Sequence, residues 1–348
     1  MPKGPLPNLS SSRGSDALRK TDGGPLLRWY RENRRVLPWR RTNDPYAIWV
    51  SEAMLQRTQV TTVIPYWERW MARFPTVEAL ASAGEQEALA MWQGLGYYRR
   101  CRLLLAGARW VVEHGLPTTA AVWREVPGVG PYTAAAIASI AQGDPAPLVD
   151  GNVERVYARL TGDPSSGPTL HRAAWKWAAA ELFQPRPGDW NQALMELGAV
   201  VCRPVEPICS QCPLESRCVA RHSWRVSELP TRLAPRATIQ LYRQTWFPMH
   251  EEAVGVRQIP EGQWWQGMWE FPTAESEADL RDVCGAGWLE SLGRFRHSVT
   301  HHRIMVEASI LRCETRSSAL RWVAPAELAD VPMPSPHRKI LRMALPLS

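Results

Sequence analysis

The sequence predicts two folds in one chain, an all-α lobe followed by a smaller α+β domain. Three observations support this division of the 348 residues. From residue 24 to residue 218, apolar residues recur at helical spacing between short Pro/Gly segments, and no run alternates like a strand. Beyond residue 238, short runs that favour strands replace them. Four closely spaced cysteines, Cys202, Cys209, Cys212 and Cys218, end the helical part.

The helical part, residues 25–225, is predicted to contain helices joined by Pro/Gly punctuation. They are Leu26–Asn33, Tyr46–Val63, Pro65–Phe74, Gln86–Leu95, Arg99–His114, Thr119–Val126, Tyr132–Gln142, Val153–Leu160, His171–Leu182 and Trp190–Val201. The Ser/Gly/Pro-rich residues 1–24 are predicted to form a disordered leader. Residues 226–238 contain Pro and Arg without periodicity, which predicts a linker.

The second domain, residues 239–348, mixes strands and helices. Its predicted strands are Ile239–Trp246, Glu252–Arg257, Val299–Leu311 and Ala319–Val323. A helix is predicted at Glu275–Cys284 and another near the C-terminus. This pattern is typical of an α+β domain.

The composition narrows the class of function. The chain carries 41 Lys+Arg against 34 Asp+Glu, a formal net charge of +7, and its arginine excess suits contacts to phosphate. No apolar run reaches the roughly 18 residues that a membrane span needs. Seven cysteines, three of them isolated, fit metal ligation in a reducing compartment better than a disulfide framework. We therefore expect a cytoplasmic protein, associated with the nucleoid if it is bacterial.

The cysteine loop, residues 202–218, has the spacing C-x6-C-x2-C-x5-C. Four thiolates so close in sequence can surround one tetrahedral centre, either zinc or an iron–sulfur cluster. A single short pair flanked by outlying cysteines favours a [4Fe–4S] cluster, with zinc and disulfides as alternatives. Arg203 and Arg217 make the loop basic, so it can also lie against a phosphate backbone.

A glycine-bracketed hairpin is predicted between two helices at Val126–Thr133. Gly128 and Gly130 permit close approach of the backbone, and Pro131 stands at the start of the next helix. The free N–H groups of that helix can bind a DNA phosphate without reading sequence. The segment predicts a helix–hairpin–helix motif; the alternative is a tight corner between helices.

Two acidic residues are candidates for chemistry. Glu52 lies within the predicted helix Tyr46–Val63 and shares a face with Leu55, Gln56 and Gln59, without a basic residue at helical spacing. Enclosure would raise its pKa and make it a proton donor near neutrality, whereas the alternative is a solvated glutamate. Asp150 precedes the next predicted helix, for which Asn152 is the expected N-cap.

Two carboxylates in separate environments suit cleavage of a glycosidic bond. One protonates the leaving group, and the other faces the oxocarbenium-like charge on the sugar. Together with a hairpin that binds DNA, the pair indicates an enzyme that removes a flipped base.

Several segments resemble the MutY-type adenine DNA glycosylases of the helix–hairpin–helix superfamily, over about residues 25–225. They are Leu37-Pro38-Trp39-Arg40, the segment from Ser51 to Val60, Gly94-Leu95-Gly96-Tyr97-Tyr98, the hairpin, Asp150-Gly151-Asn152-Val153 and the four cysteines. The segment from Trp264 to Pro272 resembles the Nudix-like recognition domain of such enzymes.

The resemblance implies hydrolysis of the N-glycosidic bond of adenine paired with 8-oxoguanine or guanine, the first step of base excision repair. It gives Glu52 the role of acid and water activator, and Asp150 that of stabilising the sugar cation, with Asn152 and Tyr132 orienting the site. It assigns contacts to the base or the DNA to Trp39, Arg40, Leu55, Gln56, Arg57, Tyr97, Gln192, Thr300 and His301. The four cysteines would hold a [4Fe–4S] cluster.

Position 132 bears on the subclass. Relatives that also cut the strand carry a lysine there that forms a Schiff base, and Tyr132 cannot do so, so a monofunctional enzyme is expected. The implied partner is duplex DNA with a mispair, bound by a monomer that acts before an abasic-site endonuclease. Two alternatives remain: a mismatch thymine glycosylase of the same fold, and a catalytically silent iron–sulfur DNA-binding protein.

Three features depart from the family pattern, and one of them is Glu154, which replaces a residue that is often basic or apolar in relatives. Arg57 stands where relatives have a second glutamine, and Val299-Thr300-His301 replaces Phe-Ser-His in the loop that reads the lesion. The second domain also lacks the carboxylate cluster of a Nudix hydrolase, which predicts binding without hydrolysis.

Overall fold

The structure, a computed structural model, describes residues 23–231 and 237–345. The predicted leader lies outside these residues except at its end, where Gly24 begins the first helix. Part of the predicted linker, residues 232–236, also lies outside the described ranges. No helix in the described ranges is long and apolar enough to cross a membrane.

Residues 24–222 are helical, as predicted. The helices are α1 (Gly24–Asn33), α2 (Pro45–Leu55), α3 (Val60–Arg73), α4 (Val77–Ala81), α5 (Glu85–Trp92), α6 (Arg99–His114), α7 (Ala120–Trp123), α8 (Pro131–Gln142), α9 (Gly151–Thr161), α10 (Gly167–Glu181), α11 (Pro187–Glu196) and α12 (Val219–His222). A 3₁₀ turn, Pro38–Arg40, precedes α2, and a π-helical turn, Leu197–Val201, extends α11.

The predicted helix Tyr46–Val63 is wrong, because it is two helices. The backbone of Arg57 takes a φ of 61°, which no helix accommodates, and α3 begins three residues later. Gln59 therefore does not share a helical face with Glu52. Pro65, expected to start a helix, lies inside α3.

The hairpin follows the predicted pattern of glycine and proline. Gly128 adopts a φ of 80°, which favours glycine. Gly130 is the N-cap of α8 and Pro131 its first residue, where a missing N–H costs nothing. Gly143 ends the helix in the left-handed conformation. The start of α8 is therefore fixed by local sequence.

Residues 239–323 supply a mixed seven-stranded sheet. Its strands are β1 (Ile239–His250), β2 (Ala253–Gln258), β3 (Trp269–Glu270), β4 (Thr273–Ala274), β5 (Gly287–Val299), β6 (His302–Cys313) and β7 (Arg321–Val323). The main order is β3-β2-β1-β6-β5, with β4 beside β1 and β7 beside β2. Only the β1–β6 pair is parallel among these pairings. Two helices, α13 (Glu277–Cys284) and α14 (Ser335–Ala344), complete the α+β domain.

The predicted strand Val299–Leu311 crosses a turn. Val299 ends β5, which the sequence analysis missed, and pairs with His302 at the start of β6. Thr300, between them, has a φ of 53°. His301 is thus a turn residue and not part of a strand.

Packing divides the described chain into two compact units. The first contains residues 23–71 and 107–231, and the second contains residues 72–106 and 237–345. In the first unit, α1, α8, α9, α10 and α11 surround an apolar core that includes Tyr30, Val153 and Trp190. In the second, Phe247, Phe271 and Ile340 belong to the core on one face of the sheet.

Candidate active site

Glu52 lies in a helix that is buried on every side. Nine consecutive residues of α2, Tyr46 to Met54, are buried, and only 6% of Glu52 is exposed. A helix without a polar face belongs in a core, and here α2 packs against α8 and the turn Pro38–Arg40. The solvated glutamate considered from the sequence is therefore wrong.

The first residues of α8 provide the immediate partners of this region. The Tyr132 hydroxyl group donates a hydrogen bond to Oε2 of Glu52 over 2.8 Å and lies 3.3 Å from the sulfur of Met195. Next to it, the hydroxyl of Thr133 accepts a long hydrogen bond, 3.4 Å, from the Gln56 amide. The hairpin therefore places Tyr132, near the start of α8, within hydrogen-bond distance of Glu52.

Asp150, and not Asn152, is the N-cap of α9. Its Oδ1 accepts the Val153 amide N–H over 2.8 Å, while Oδ2 accepts the side-chain amide of Asn152 over 2.7 Å. The expected N-cap at Asn152 is wrong, because the helix begins earlier, at Gly151. Instead, Asn152 fixes the rotamer of Asp150.

The electrostatics indicate that the two acids and Tyr132 are neighbours. Burial raises the pKa of Glu52 to about 7, the charge of Asp150 raises it further, and Tyr132 and Arg40 lower it. Burial and then both carboxylates raise the pKa of Tyr132, which stays protonated. Burial also raises the pKa of Asp150, against its bonds to Val153 and Asn152 and the charge of Arg155. Glu52 can therefore give or take a proton near neutrality.

Arg155 connects this site to the cysteine loop. Its guanidinium group donates to Oδ1 of Asn152 over 2.8 Å and to the carbonyl oxygens of Gly151, Gly198 and Cys202. The bond to the Cys202 carbonyl is 2.7 Å long. One side chain thus holds both the residue that orients Asp150 and the first cysteine of the loop.

The four predicted ligands come together. Cys202, Cys209, Cys212 and Cys218 are free thiols that line one cavity. Arg159 adds a positive charge, with Nη1 3.5 Å from the Cys202 sulfur, and its carbonyl accepts from the Cys218 thiol over 3.3 Å. In the described ranges, no three His, Cys, Asp or Glu side chains are grouped tightly enough to share one metal ion. The four thiols nevertheless line a single cavity, and thiolate sulfur is a donor that both zinc and iron–sulfur clusters accept.

The other predicted contact residues of the first unit differ in their burial. Trp39 is buried and packs edge-on against Trp67, with ring centroids 6.0 Å apart. Arg40 binds Glu196 and acts electrostatically on Glu52. Leu55 and Gln192 are half-buried, while Arg57 is exposed.

Three predicted contact residues belong to the second unit. Tyr97 is 46% exposed and has a φ of 49°. The Cζ atom of Arg100 lies over its ring, 5.3 Å from the ring centroid. Thr300 and His301 form the β5–β6 turn, where the Thr300 hydroxyl lies 3.4 Å from Nδ1 of His301. Their roles toward DNA stay predictions.

The sequence analysis missed Glu196 and Arg155. Glu196 is a fully buried carboxylate at the end of α11 that binds Arg35 and Arg40. It has no basic residue three or four positions away, the same signal that singled out Glu52. Arg155 gave no such signal, because its partners are mostly backbone carbonyls brought together by the fold.

Comparisons with known proteins identify both halves. Residues 50–179 match the model of the HhH-GPD superfamily base excision DNA repair protein, and residues 245–343 match that of the NUDIX domain. The adenine DNA glycosylase of Mus musculus is 34% identical over 91% of this chain and 76% of its own length. That of Schizosaccharomyces pombe is 33% identical over 80% of this chain and 78% of its own.

Coverage of other relatives is smaller. The adenine DNA glycosylase of Homo sapiens is 51% identical over 57% of this chain, but the match spans 39% of the human protein. The solved structure of a thermostable thymine-DNA glycosylase superposes with a TM-score of 0.52 at 27% identity. That likeness covers 57% of this chain and 94% of the other.

Proposed function

The chain belongs to the adenine DNA glycosylases, and from this premise we propose that it hydrolyses the N-glycosidic bond of adenine mispaired with 8-oxoguanine or guanine. The observation that carries the proposal is the buried cluster of Glu52, Tyr132 and Asp150. The product is an abasic site, which a separate endonuclease must process.

Glu52 acts as the general acid. A carboxyl group with a pKa of about 7 is partly protonated at neutral pH, so it can protonate the departing purine. Once ionised, the same group can accept a proton from the attacking water. Tyr132 holds Oε2, which leaves Oε1 as the oxygen that meets the base or the water.

Asp150 stabilises the sugar cation. Two hydrogen bonds from Val153 and Asn152 fix its carboxylate and favour the charged form. A carboxylate held next to the anomeric carbon lowers the energy of an oxocarbenium-like transition state. Tyr132 has no amine, and its hydroxyl group is already bonded to Glu52, so no Schiff base forms and the enzyme is monofunctional.

A [4Fe–4S] cluster held by Cys202, Cys209, Cys212 and Cys218 is the cofactor that best suits the loop. When bound, such a cluster cross-links the loop through four Fe–S bonds and adds local charge. The Arg159 guanidinium group lies where it can offset that negative charge. Arg155 then ties the stiffened loop to Asn152, and so to the orientation of Asp150.

DNA binding follows from the hairpin and the net charge. The free N–H groups at the start of α8 suit a phosphate, and the formal charge of +7 favours association with DNA. Arg57 and Tyr97 would contact the duplex near the lesion, and Thr300 and His301 would contact the opposite base. We propose a monomer that works in the cytoplasm, or at the nucleoid of a bacterium.

The test is a single-turnover assay on four duplexes, with A or T opposite G or 8-oxoguanine, with and without alkali. Release of adenine alone, with strand cleavage only after alkali, is the expected result. Release of thymine would favour the mismatch thymine glycosylase, and no release would favour a silent DNA-binding protein. The Glu52→Gln variant is expected to bind the duplex and release no adenine.

A further inference from the structure

Glu196 is a buried carboxylate without a part in the proposed chemistry. It is the last residue of α11, and its side chain is 0% exposed. A buried charge is costly unless it is paired and hydrogen-bonded, so its partners show what it does for the fold. Burial raises the pKa of Glu196, but hydrogen bonds from Arg35 and Arg40 and the charge of Arg40 outweigh it and hold the pKa at about 2, which keeps the group charged.

Both Arg35 and Arg40 donate hydrogen bonds to the Glu196 carboxylate. Arg35 takes most of it, with its backbone N–H and Nε on Oε1, both over 2.9 Å, and Nη2 on Oε2 over 2.8 Å. Arg40 donates to Oε2 over 2.9 Å and to the Arg35 carbonyl over 3.1 Å. Arg35 is 39% exposed at its side chain, whereas Arg40 is only 12% exposed.

Arg40 is also the cation that acts on the proposed acid. It ends the turn Pro38–Arg40, which packs against α2, the helix of Glu52. The groups that face Glu52 are Tyr132 from α8, Asp150 at the start of α9, and Arg40. Among these three, Arg40 is the one with a positive charge, and that charge lowers the pKa of Glu52.

We infer that Glu196 is a positioning residue for the reaction, because it holds the guanidinium group of Arg40 in the turn that packs against α2, the helix of Glu52, and offsets part of its charge. The inference rests on the proposed function for its readout. Glu196 both fixes Arg40 and offsets part of its charge. In Glu196→Gln the amide oxygen can still accept from Arg40, but the negative charge is gone, so the Arg40 guanidinium group favours the ionised form of Glu52 more strongly and the acid loses its proton at lower pH.

The experiment is the pH profile of single-turnover adenine release from a duplex with A opposite 8-oxoguanine. Because Glu52 must be protonated to act as acid, the rate falls as pH rises through its pKa. Glu196→Gln is expected to move this alkaline limb down by about half a pH unit or more. Glu196→Asp, which keeps the charge, is expected to retain a limb near that of the wild type.

Two further variants separate positioning from simple stability. Arg35→Gln removes more bonds to Glu196 than Arg40→Gln does, so it should lower the thermal midpoint and leave the limb in place. Arg40→Gln removes the cation itself and should move the limb up. In a double variant that combines Arg40→Gln with Glu196→Gln, the second substitution should not move the alkaline limb to lower pH, because the Arg40 cation is absent.

An alkaline limb that Glu196→Gln leaves unmoved or raises would overturn the inference, and so would a downward shift that persists in the double variant. If Glu196→Gln does not fold, the upward shift of Arg40→Gln beside an unmoved Arg35→Gln decides the matter in the same way. Failure of the wild type to release adenine would instead refute the proposed function.

Discussion

At the residue scale, the sequence could select Glu52 but could not say whether it is buried. The absence of a basic neighbour at helical spacing was a local signal, whereas burial comes from α8 and the turn Pro38–Arg40. The same local signal was present at Glu196, where it was not used. The N-cap of α9 is Asp150 and not Asn152, because both residue types cap helices well and the position of the first helical turn decides which one does.

The raised pKa of Glu52 predicts a cost in stability. A carboxyl group with a pKa of about 7 when folded and an ordinary value when unfolded destabilises the fold as pH rises between the two. Glu52→Gln should therefore raise the free energy of unfolding at pH 8 by up to about 3 kcal/mol, and by less than about 1 kcal/mol at pH 5. Chemical denaturation at both pH values checks this, and an equal effect at both would contradict the raised pKa.

At the element scale, the boundaries that local sequence fixes were predicted well. The start of α8 follows from Gly130 and Pro131, and its end from Gly143. The break between α2 and α3 was missed because periodicity continues across it, while the positive φ of Arg57 has no signal in its side chain. The π-helical turn Leu197–Val201 was missed for a similar reason, since it inherits the apolar pattern of α11.

This π-helical turn makes Gly198 a sensitive position. A Cβ there would lie 2.6 Å from Cβ of Asn152 and 2.9 Å from its carbonyl oxygen, closer than side-chain carbons pack. Gly198→Ala should push Asn152 away from Asp150, slow adenine release by about tenfold or more, and cost about 2 kcal/mol of stability. Gly84→Ala is the control, because a Cβ at Gly84 meets nothing within 4 Å. Equal rates for the two variants would refute the close contact.

The cysteine loop makes a prediction about iron. Purified protein should absorb broadly near 400 nm and contain about four irons per chain. Cys212→Ser should lose most of this absorbance, whereas Cys101→Ser, which changes a buried cysteine outside the loop, should keep it. Stoichiometric zinc without iron in the wild type would contradict the cluster.

At the scale of the whole molecule, the sequence predicted both folds, because helical periodicity and strand-favouring runs are separated along the chain. It did not predict that residues 72–106 pack with residues 237–345. Such long-range packing depends on single contacts without a local pattern. The Gln86 amide donates to the Gly267 carbonyl over 3.2 Å, and Arg338 donates to the Gln93 side chain over 3.0 Å.

These contacts predict an effect of truncation. A chain that ends at residue 231 loses Gly267, which accepts from Gln86 and lies next to Glu85, and Arg338, which donates to Gln93. Amide hydrogen exchange in α5 should become faster by about tenfold or more in the truncated chain, since opening costs less. Helix α10, in the first unit, serves as the internal control and should keep its protection. Unchanged exchange in α5 would mean that residues 72–106 are stable without the second domain.

The central claim is that a buried Glu52 acts as the acid, and the pH dependence of single-turnover adenine release by the wild type tests it most directly. We expect the rate constant to fall above a pH of about 7, the pKa that burial gives Glu52. In Tyr132→Phe this limb should lie at higher pH, because the lost hydrogen bond favoured the carboxylate, while Tyr157→Phe, which loses a bond to Asp163, should leave it unchanged. A rate that does not fall up to pH 9, or a limb that ignores Tyr132, would contradict the account.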